Sequence, residues 1–313
     1  MIKVGILRGG IGEDYFESLE KGGEIISYIQ ENFPDKFQPI DILVDREGVW
    51  HYRGLPVLPI DLKNKVDIVW HTGSFDGKNI LENISIPHIS DAGFGSSVTK
   101  DRSILERHMA NLGIKISKHV VLPAYNFEFD GPVDKYFMKK AMQIFEKFSS
   151  PWTVKSFTPD SSLGIHIAKT FPELVQALTE IAQSGKSILV EELIAGKKAS
   201  VHSLSNFRGE KIYSFPPIEH RNGEVFAPGN FSQSEKEEML SLVRDIFSHM
   251  SAEHYMQSDF VIQPNRGIIL TNVTFIPDFK SNSPFSRSTD AVGSTTASVF
   301  EQIINNTLNK SLQ

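Results

Sequence analysis

Lys155 ends an apolar stretch and is followed at once by residues 156–164, Ser-Phe-Thr-Pro-Asp-Ser-Ser-Leu-Gly. Backbone N–H groups and hydroxyls in such a loop, beside one ammonium, can hold phosphate oxygens. The same composition also describes an ordinary surface turn. Glu191 and Glu192 follow the apolar run 188–190 and precede Ile194. A carboxylate with open backbone groups at a strand end can read the donor and acceptor edge of a purine, and a solvated acidic turn has the same residues. Asp259 sits in one apolar run and Asn272 at the end of the next. Across a hairpin they could meet as oxygen ligands for magnesium, or Asp259 could be a hydrogen-bonded aspartate capping a sheet. His71, at the end of a third apolar run, stands where ligand-facing groups accumulate, and where a hydrogen-bonded structural histidine would also stand.

These residues need elements to place them. Residues 2–7 form a short apolar run that meets Gly9-Gly10-Ile11-Gly12, and a helical pattern follows through Ile25 and Ile29. Runs at 40–44 and 66–70 also end at polar loops, so the spacing predicts parallel strands whose loops gather at one sheet edge, the place where open α/β sheets bind ligands. Near residue 95 the texture changes, and a helix opens at Lys100-Asp101-Arg102 and closes at Gly113. Beyond it we expect strands at 119–122, 151–155, 165–168 and 187–190, with helices at 134–147 and 172–183. The last third should hold strands at 199–204, 211–215, 258–263 and 267–273, and helices at 234–250 and 294–308. The expected division is 1–95, 96–186 and 187–313.

Composition narrows the classes. In 313 residues, 40% are apolar and 22% charged, which suits a folded chain with a sizeable core. Lys plus Arg number 32 against 38 Asp plus Glu, a net charge of −6, so neither nucleic acid nor an anionic membrane finds an electrostatic footprint. The absence of cysteine excludes disulfides, thiolate metal sites and cysteine nucleophiles. The first apolar run is too short for a secretory h-region and no run is long enough to span a bilayer, so the expected location is the cytoplasm. The chain has no P-loop, Gly-x-Ser-x-Gly elbow or complete dinucleotide fingerprint.

In their order and separations, the pieces resemble the D-alanine-D-alanine ligase family of ATP-grasp enzymes over nearly the whole chain. The likeness rests on Gly9-Gly10 with Glu13, Asp14 and Ser18-Leu19; on His71 and Asp76-Gly77; and on Lys100-Asp101-Arg102. It continues through Val154-Lys155, Ser161-Ser162-Leu163-Gly164, Val190-Glu191-Glu192 with Ile194 and Gly196, Ser258-Asp259-Phe260, and Asn272-Val273-Thr274 before Pro277 and Ser283. It implies an α/β fold of three parts: an N-terminal Rossmann-like domain, a small central domain and a C-terminal domain, with ATP between the last two. The implied reaction phosphorylates the carboxylate of one D-alanine, or another small amino acid, and lets the amine of a second attack the acylphosphate. The dipeptide belongs to peptidoglycan synthesis, the cofactors are ATP and magnesium, and the implied assembly is a homodimer through the N-terminal domain. An inactive relative that binds nucleotide or a partner protein is the alternative.

Carried over position by position, Lys155 and Arg102 would contact phosphates, Ser162 would cover them, and Glu191 with the Ile194 backbone would hold adenine. Asp259, Asn272 and Thr274 would face magnesium. Asp14 would orient an amino group with Ser161, and His71 and Ser283 would face amino-acid carboxylates. The chain departs from the family pattern where Ser258 replaces an oxyanion-stabilising arginine, a change worth on the order of 10² to 10³ in rate. Asn272 and Thr274 leave one metal carboxylate where the family has two. Lys198 replaces a ribose-binding glutamate, and Arg102 replaces a lysine. Pro216-Pro217 and the turn Arg221-Asn222-Gly223 predict a short, stiff connection where the family carries a long lid.

Overall fold

The computed structural model describes residues 1–12, 14–73, 75, 77–90, 93–99, 101–157 and 163–310. It forms two compact units, Met1–Ile114 with Lys197–Gln313, and Lys115–Gly196.

The first sheet of the larger unit is built on strand Ile2–Gly9, which is paired in parallel on one side with Phe37–Val44 and on the other with Ile68–His71. Its apolar run is buried on both faces, as a central parallel strand requires. On one face Val4 and Ile6 join Ile25 and Ile29 of helix Tyr15–Asn32 and Phe300, Ile303 and Ile304 of helix Thr296–Lys310. Trp70 stacks on Phe300 with centroids 5.0 Å apart. On the other face Leu7, Ile40, Ile42 and Val69 form a second cluster with Leu81. The parallel pairing brings the ends of the three strands to one edge, as expected. Hairpin strands Trp50–Tyr52 and Leu55–Pro56, which the sequence does not announce, extend the sheet beyond Phe37–Val44.

The turn at that edge needs glycine. Gly9 and Gly10 have φ of +88° and +113°. A Cβ on Gly9 would lie 2.2 Å from the Val44 carbonyl oxygen, which accepts the Gly10 N–H at 2.8 Å. The backbone of one strand therefore runs against the end of its neighbour with no room for a side chain.

The larger unit's second sheet is antiparallel, with Glu224–Phe226, Ile218–Arg221, Lys197–Phe207, Tyr255–Gln263 and Gly267–Thr274 side by side, and Glu210–Ser214 also on Lys197–Phe207. The turn at Arg221-Asn222-Gly223 is a tight hairpin, with φ of 55° at Asn222 and 82° at Gly223. Helix Gln233–His249 starts at a capping box between Ser232 and Glu235 and buries Met239, Val243, Ile246 and Phe247.

The smaller unit is a four-stranded antiparallel sheet ordered His166–Ala168, Trp152–Ser156, Ile188–Glu192, His119–Leu122. Helices Val133–Lys147 and Phe171–Ala182 cover one face, placing Phe137, Ile144, Leu174 and Leu178 over Trp152, Val154, Ile188 and Val190. No helix among the described residues is long and apolar enough to cross a membrane.

A buried polar pair marks the second sheet. His202 is fully enclosed, its Nδ1 is 2.7 Å from the Tyr255 hydroxyl, and that hydroxyl donates to Gln257 Oε1 at 3.3 Å. Among the described residues His202 Nε2 has no hydrogen-bond partner. Burial, and secondarily the nearby His220, holds the imidazole down to about 3 from its ordinary 6.5.

Two predictions follow from this packing. Gly9→Ala should lose at least about 2 kcal/mol in denaturant unfolding, because it adds a clash to a strained φ. Gly23→Ala, in a helix with no atom within 4 Å of the new Cβ, should be neutral or stabilising by up to about 1 kcal/mol. Equal losses at both positions would contradict the packing. Between pH 6.5 and about 3 the unfolded His202 binds a proton that the folded one refuses, so stability falls as pH falls through that window. His202→Leu should flatten the dependence by up to about 1.4 kcal/mol per pH unit, read from urea midpoints across pH. An unchanged slope would show that the folded imidazole does protonate.

Candidate functional site

The register of the second sheet assembles one polar face. Lys198 lies opposite His220, and Ser200 lies opposite Asp259, which is itself opposite Asn272. Two residues along, Gln257 is opposite both His202 and Thr274. Because strand side chains alternate, these residues share a face. Of the sequence-expected residues, Lys198, Asp259, Asn272 and Thr274 are therefore brought together. A bulge between Asp259 and Phe260 leaves Thr271 as the extra residue, and its hydroxyl donates to the Asp259 carbonyl at 3.0 Å. Arg102, buried at the first turn of helix Arg102–Asn111, donates from Nη2 to the Thr271 carbonyl at 3.3 Å. Asp101 caps that helix by accepting from the Ser103 and Ile104 N–H groups.

Asp259 is the acceptor at the centre of this face. Its Oδ1 takes the Ser200 hydroxyl at 2.5 Å and the Gln257 amide at 2.8 Å, and its Oδ2 takes the Asn272 amide at 3.2 Å. Ser200 Oγ also lies 2.7 Å from His220 Nε2. Burial lowers the His220 pKa; Asp259 opposes this and Lys198 adds to it.

Ser258 does not belong to this group. It pairs with Val201 and Val273 on the opposite face, is completely buried, and its hydroxyl has no hydrogen-bond partner among the described residues. Strand periodicity corrects its expected place beside the reacting atoms: the neighbour that shares the face of Asp259 is Gln257. Ser200, His220 and Gln257 were missed in the sequence, although each lies two residues from Lys198 or Asp259 or directly across from one of them.

As a metal site the face is sparse. Among the described residues no group of three His, Asp or Glu side chains could hold an ion. One carboxylate with an amide and a hydroxyl is too weak a donor set for a resident magnesium. It fits an ion delivered on phosphates, which needs only one or two protein carboxylates.

In the smaller unit, Lys155 and Glu191 project from the sheet face opposite the helices. Lys155 Nζ donates to Glu191 Oε2 at 2.9 Å, and the Ser117 hydroxyl lies 3.4 Å from Oε1. Glu191 is nearly enclosed while the Lys155 side chain keeps about a third of its surface, 36%, in solvent, so Lys155 is the more accessible member of the pair. Ile194 is buried just beyond that strand. Ser161 and Ser162 lie outside the described residues, as do Glu13, Asp76 and Lys100.

At the edge of the first sheet, Asp14 is the residue at which helix Tyr15–Asn32 begins. Beside it Ser18 Oγ accepts the Gly9 N–H at 2.9 Å and meets Thr72 Oγ1 at 3.1 Å, which ties the first and third strand ends together. His71 is buried, with its ring edge-on to Phe75 at 4.6 Å. Ser283 is the N-cap of helix Pro284–Ala291: its hydroxyl accepts from the Ser286 N–H at 3.1 Å and donates to the Asp278 carbonyl at 2.8 Å. A carboxylate would have to displace the second of these bonds to use it.

Comparison with known proteins agrees with this architecture. A D-alanine--D-alanine ligase of Halalkalibacterium halodurans is 23% identical over 326 residues, covering 99% of this chain and 100% of the relative. The D-alanyl-alanine synthetase A structure from Vibrio cholerae superposes with a TM-score of 0.74 at 21% identity, covering 99% of each chain. The Bacillus anthracis D-alanine--D-alanine ligase complexed with ATP gives a TM-score of 0.70 at 17% identity, over 99% of this chain and 98% of the other. These likenesses establish the α/β fold as that of the ATP-grasp ligases. The family profile described as the D-ala D-ala ligase C-terminus matches residues 109–305, well over half of the sequence, and the chain belongs to that family.

Proposed function

We propose that the chain is an ATP-dependent ligase that joins two small amino acids, D-alanine among them, through an acylphosphate. The observation that carries this reading is that a chain of this family gathers Lys198, Asp259, Asn272 and Thr274 on one sheet face of its larger unit and holds a partly exposed Lys155 in its smaller one. A carboxylate is a poor acyl donor. Transfer of the ATP γ-phosphoryl group to a carboxylate oxygen forms a mixed anhydride and ADP. Attack by the second amine on that carbonyl then expels inorganic phosphate and releases a proton as the amide forms. The protein's contribution is position, charge and exclusion of water.

Lys155 and Arg102 would offset phosphate charge, Glu191 with the backbone at Ile194 would receive the base, and Asp259 with Asn272 and Thr274 would face the magnesium that the nucleotide carries. That ion would screen the transferring phosphoryl group. Asp14 holds the first amine, with His71 and Ser283 toward the carboxylates. Ser161 and Ser162 complete the expected set. We place the enzyme in the cytoplasm as a homodimer that supplies a peptidoglycan precursor. The second reading, a relative that binds nucleotide without turnover, is favoured by one observation: the Asp259 carboxylate already accepts three side-chain hydrogen bonds.

Purified protein incubated with Mg-ATP and D-alanine should release phosphate and dipeptide in equal amounts. Phosphate without any dipeptide, across D-alanine and other small amino acids, would refute the ligase reading. Mg-ATP at about 100 times its Kd should stabilise the fold by about 2.7 kcal/mol, and Lys155→Ala should abolish that shift in a thermal melt. An unchanged shift would remove Lys155 from the nucleotide site.

A further inference from the structure

We propose that Ser200 and His220 are a coupled positioning pair for Asp259, with His220 acting only through the Ser200 hydroxyl. The inference rests on the ligase reading for its catalytic consequence. Its structural half stands on the hydrogen bonds alone.

A serine hydroxyl has one proton to give. Asp259 Oδ1, 2.5 Å from Ser200 Oγ, is an acceptor, so the proton points there. His220 Nε2, 2.7 Å from the same oxygen, must then be the donor, which makes His220 the Nε2–H tautomer. Ser200 itself is buried, 2% exposed, and cannot exchange either partner for water. On the other side Gln257 repeats the arrangement: its amide donates to Oδ1 while its carbonyl accepts from Tyr255. Asp259 is thus gripped at Oδ1 by two donors, each oriented by a third group. Asn272 approaches Oδ2 from the adjacent strand at 3.2 Å, the longest of the three contacts. Oδ2 is therefore the oxygen more readily given up to a cation. Outer groups that orient a ligating carboxylate typically change metal affinity 10- to 100-fold when removed.

The first test needs no ligand. Imidazole nitrogen NMR of the full chain at pH 7.5 should find His220 protonated at Nε2. An Nδ1–H tautomer would overturn the proposal. The second test measures magnesium dependence of ADP binding by calorimetry and of turnover. Ser200→Ala should raise the half-saturating magnesium concentration about 10-fold or more, and His220→Phe should do the same. His220→Gln, which keeps an N–H donor, should recover most of the loss. The double variant Ser200→Ala/His220→Phe should be no worse than Ser200→Ala, because among the described residues the histidine has no other hydrogen-bonded route to Asp259. Multiplicative losses, or a His220→Phe variant with unaltered magnesium dependence, would refute the coupling. If Ser200→Ala fails to fold, the His220→Phe and His220→Gln contrast decides. A wild-type chain that binds Mg-ADP but forms no dipeptide would sink the ligase reading while the calorimetric arm still tests the pair.

Discussion

The Asp259 carboxylate can stay on a half-buried sheet face only because three strands, its own among them, bring donors to it in register. Ser200 comes from one neighbouring strand, Asn272 from the other, and Gln257 from its own strand two residues away. A slip of one residue in any pairing would turn the partner side chain to the opposite face, where Val201, Ser258 and Val273 now lie in the core. The bulge at Asp259 matters for the same reason. It absorbs Thr271 and so lets Asn272 and Leu270 each keep the correct side of the sheet.

The smaller unit solves the corresponding problem for a cation. Alternation along Trp152–Ser156 sends Trp152 and Val154 under the helices and Thr153 and Lys155 to the opposite face, while Ile188–Glu192 sends Glu191 to the same side. The ion pair is worth little as a source of stability, since Lys155 is partly solvated. Its effect is to hold an ammonium in place next to a carboxylate that is itself nearly enclosed.

Much of the fold was legible because apolar runs and helical periodicity are local signals. The parallel opening, the helix expected over 134–147 and observed at Val133–Lys147, the strand at 119–122 and the Asn222-Gly223 turn all appear at or within a residue of where the sequence places them. The elements that escaped have weak apolar patterns. Helix Pro284–Ala291 is hidden in a serine-rich stretch and betrayed only by Ser283-Pro284 at its start. Strand Leu55–Pro56 contains a proline and is exposed. For the site, motif order points to Asp259, Asn272 and Lys155, whereas the face each neighbour takes depends on strand register, which no local run reveals. Ser258 adjoins Asp259 in sequence and is separated from it by the thickness of the sheet, whereas Ser200 and His220, 59 and 39 positions away by the numbering, are its partners in space.

The packing of Phe300, Ile303 and Ile304 against Val4, Ile6 and Trp70 has a bearing on how the chain comes to be folded. A nascent polypeptide emerging from the ribosome exposes the opening sheet long before the segment that covers one of its faces has been translated. Until synthesis nears residue 300, Trp70 and its neighbours lack their cover, and the growing chain carries an uncovered greasy surface through most of its production.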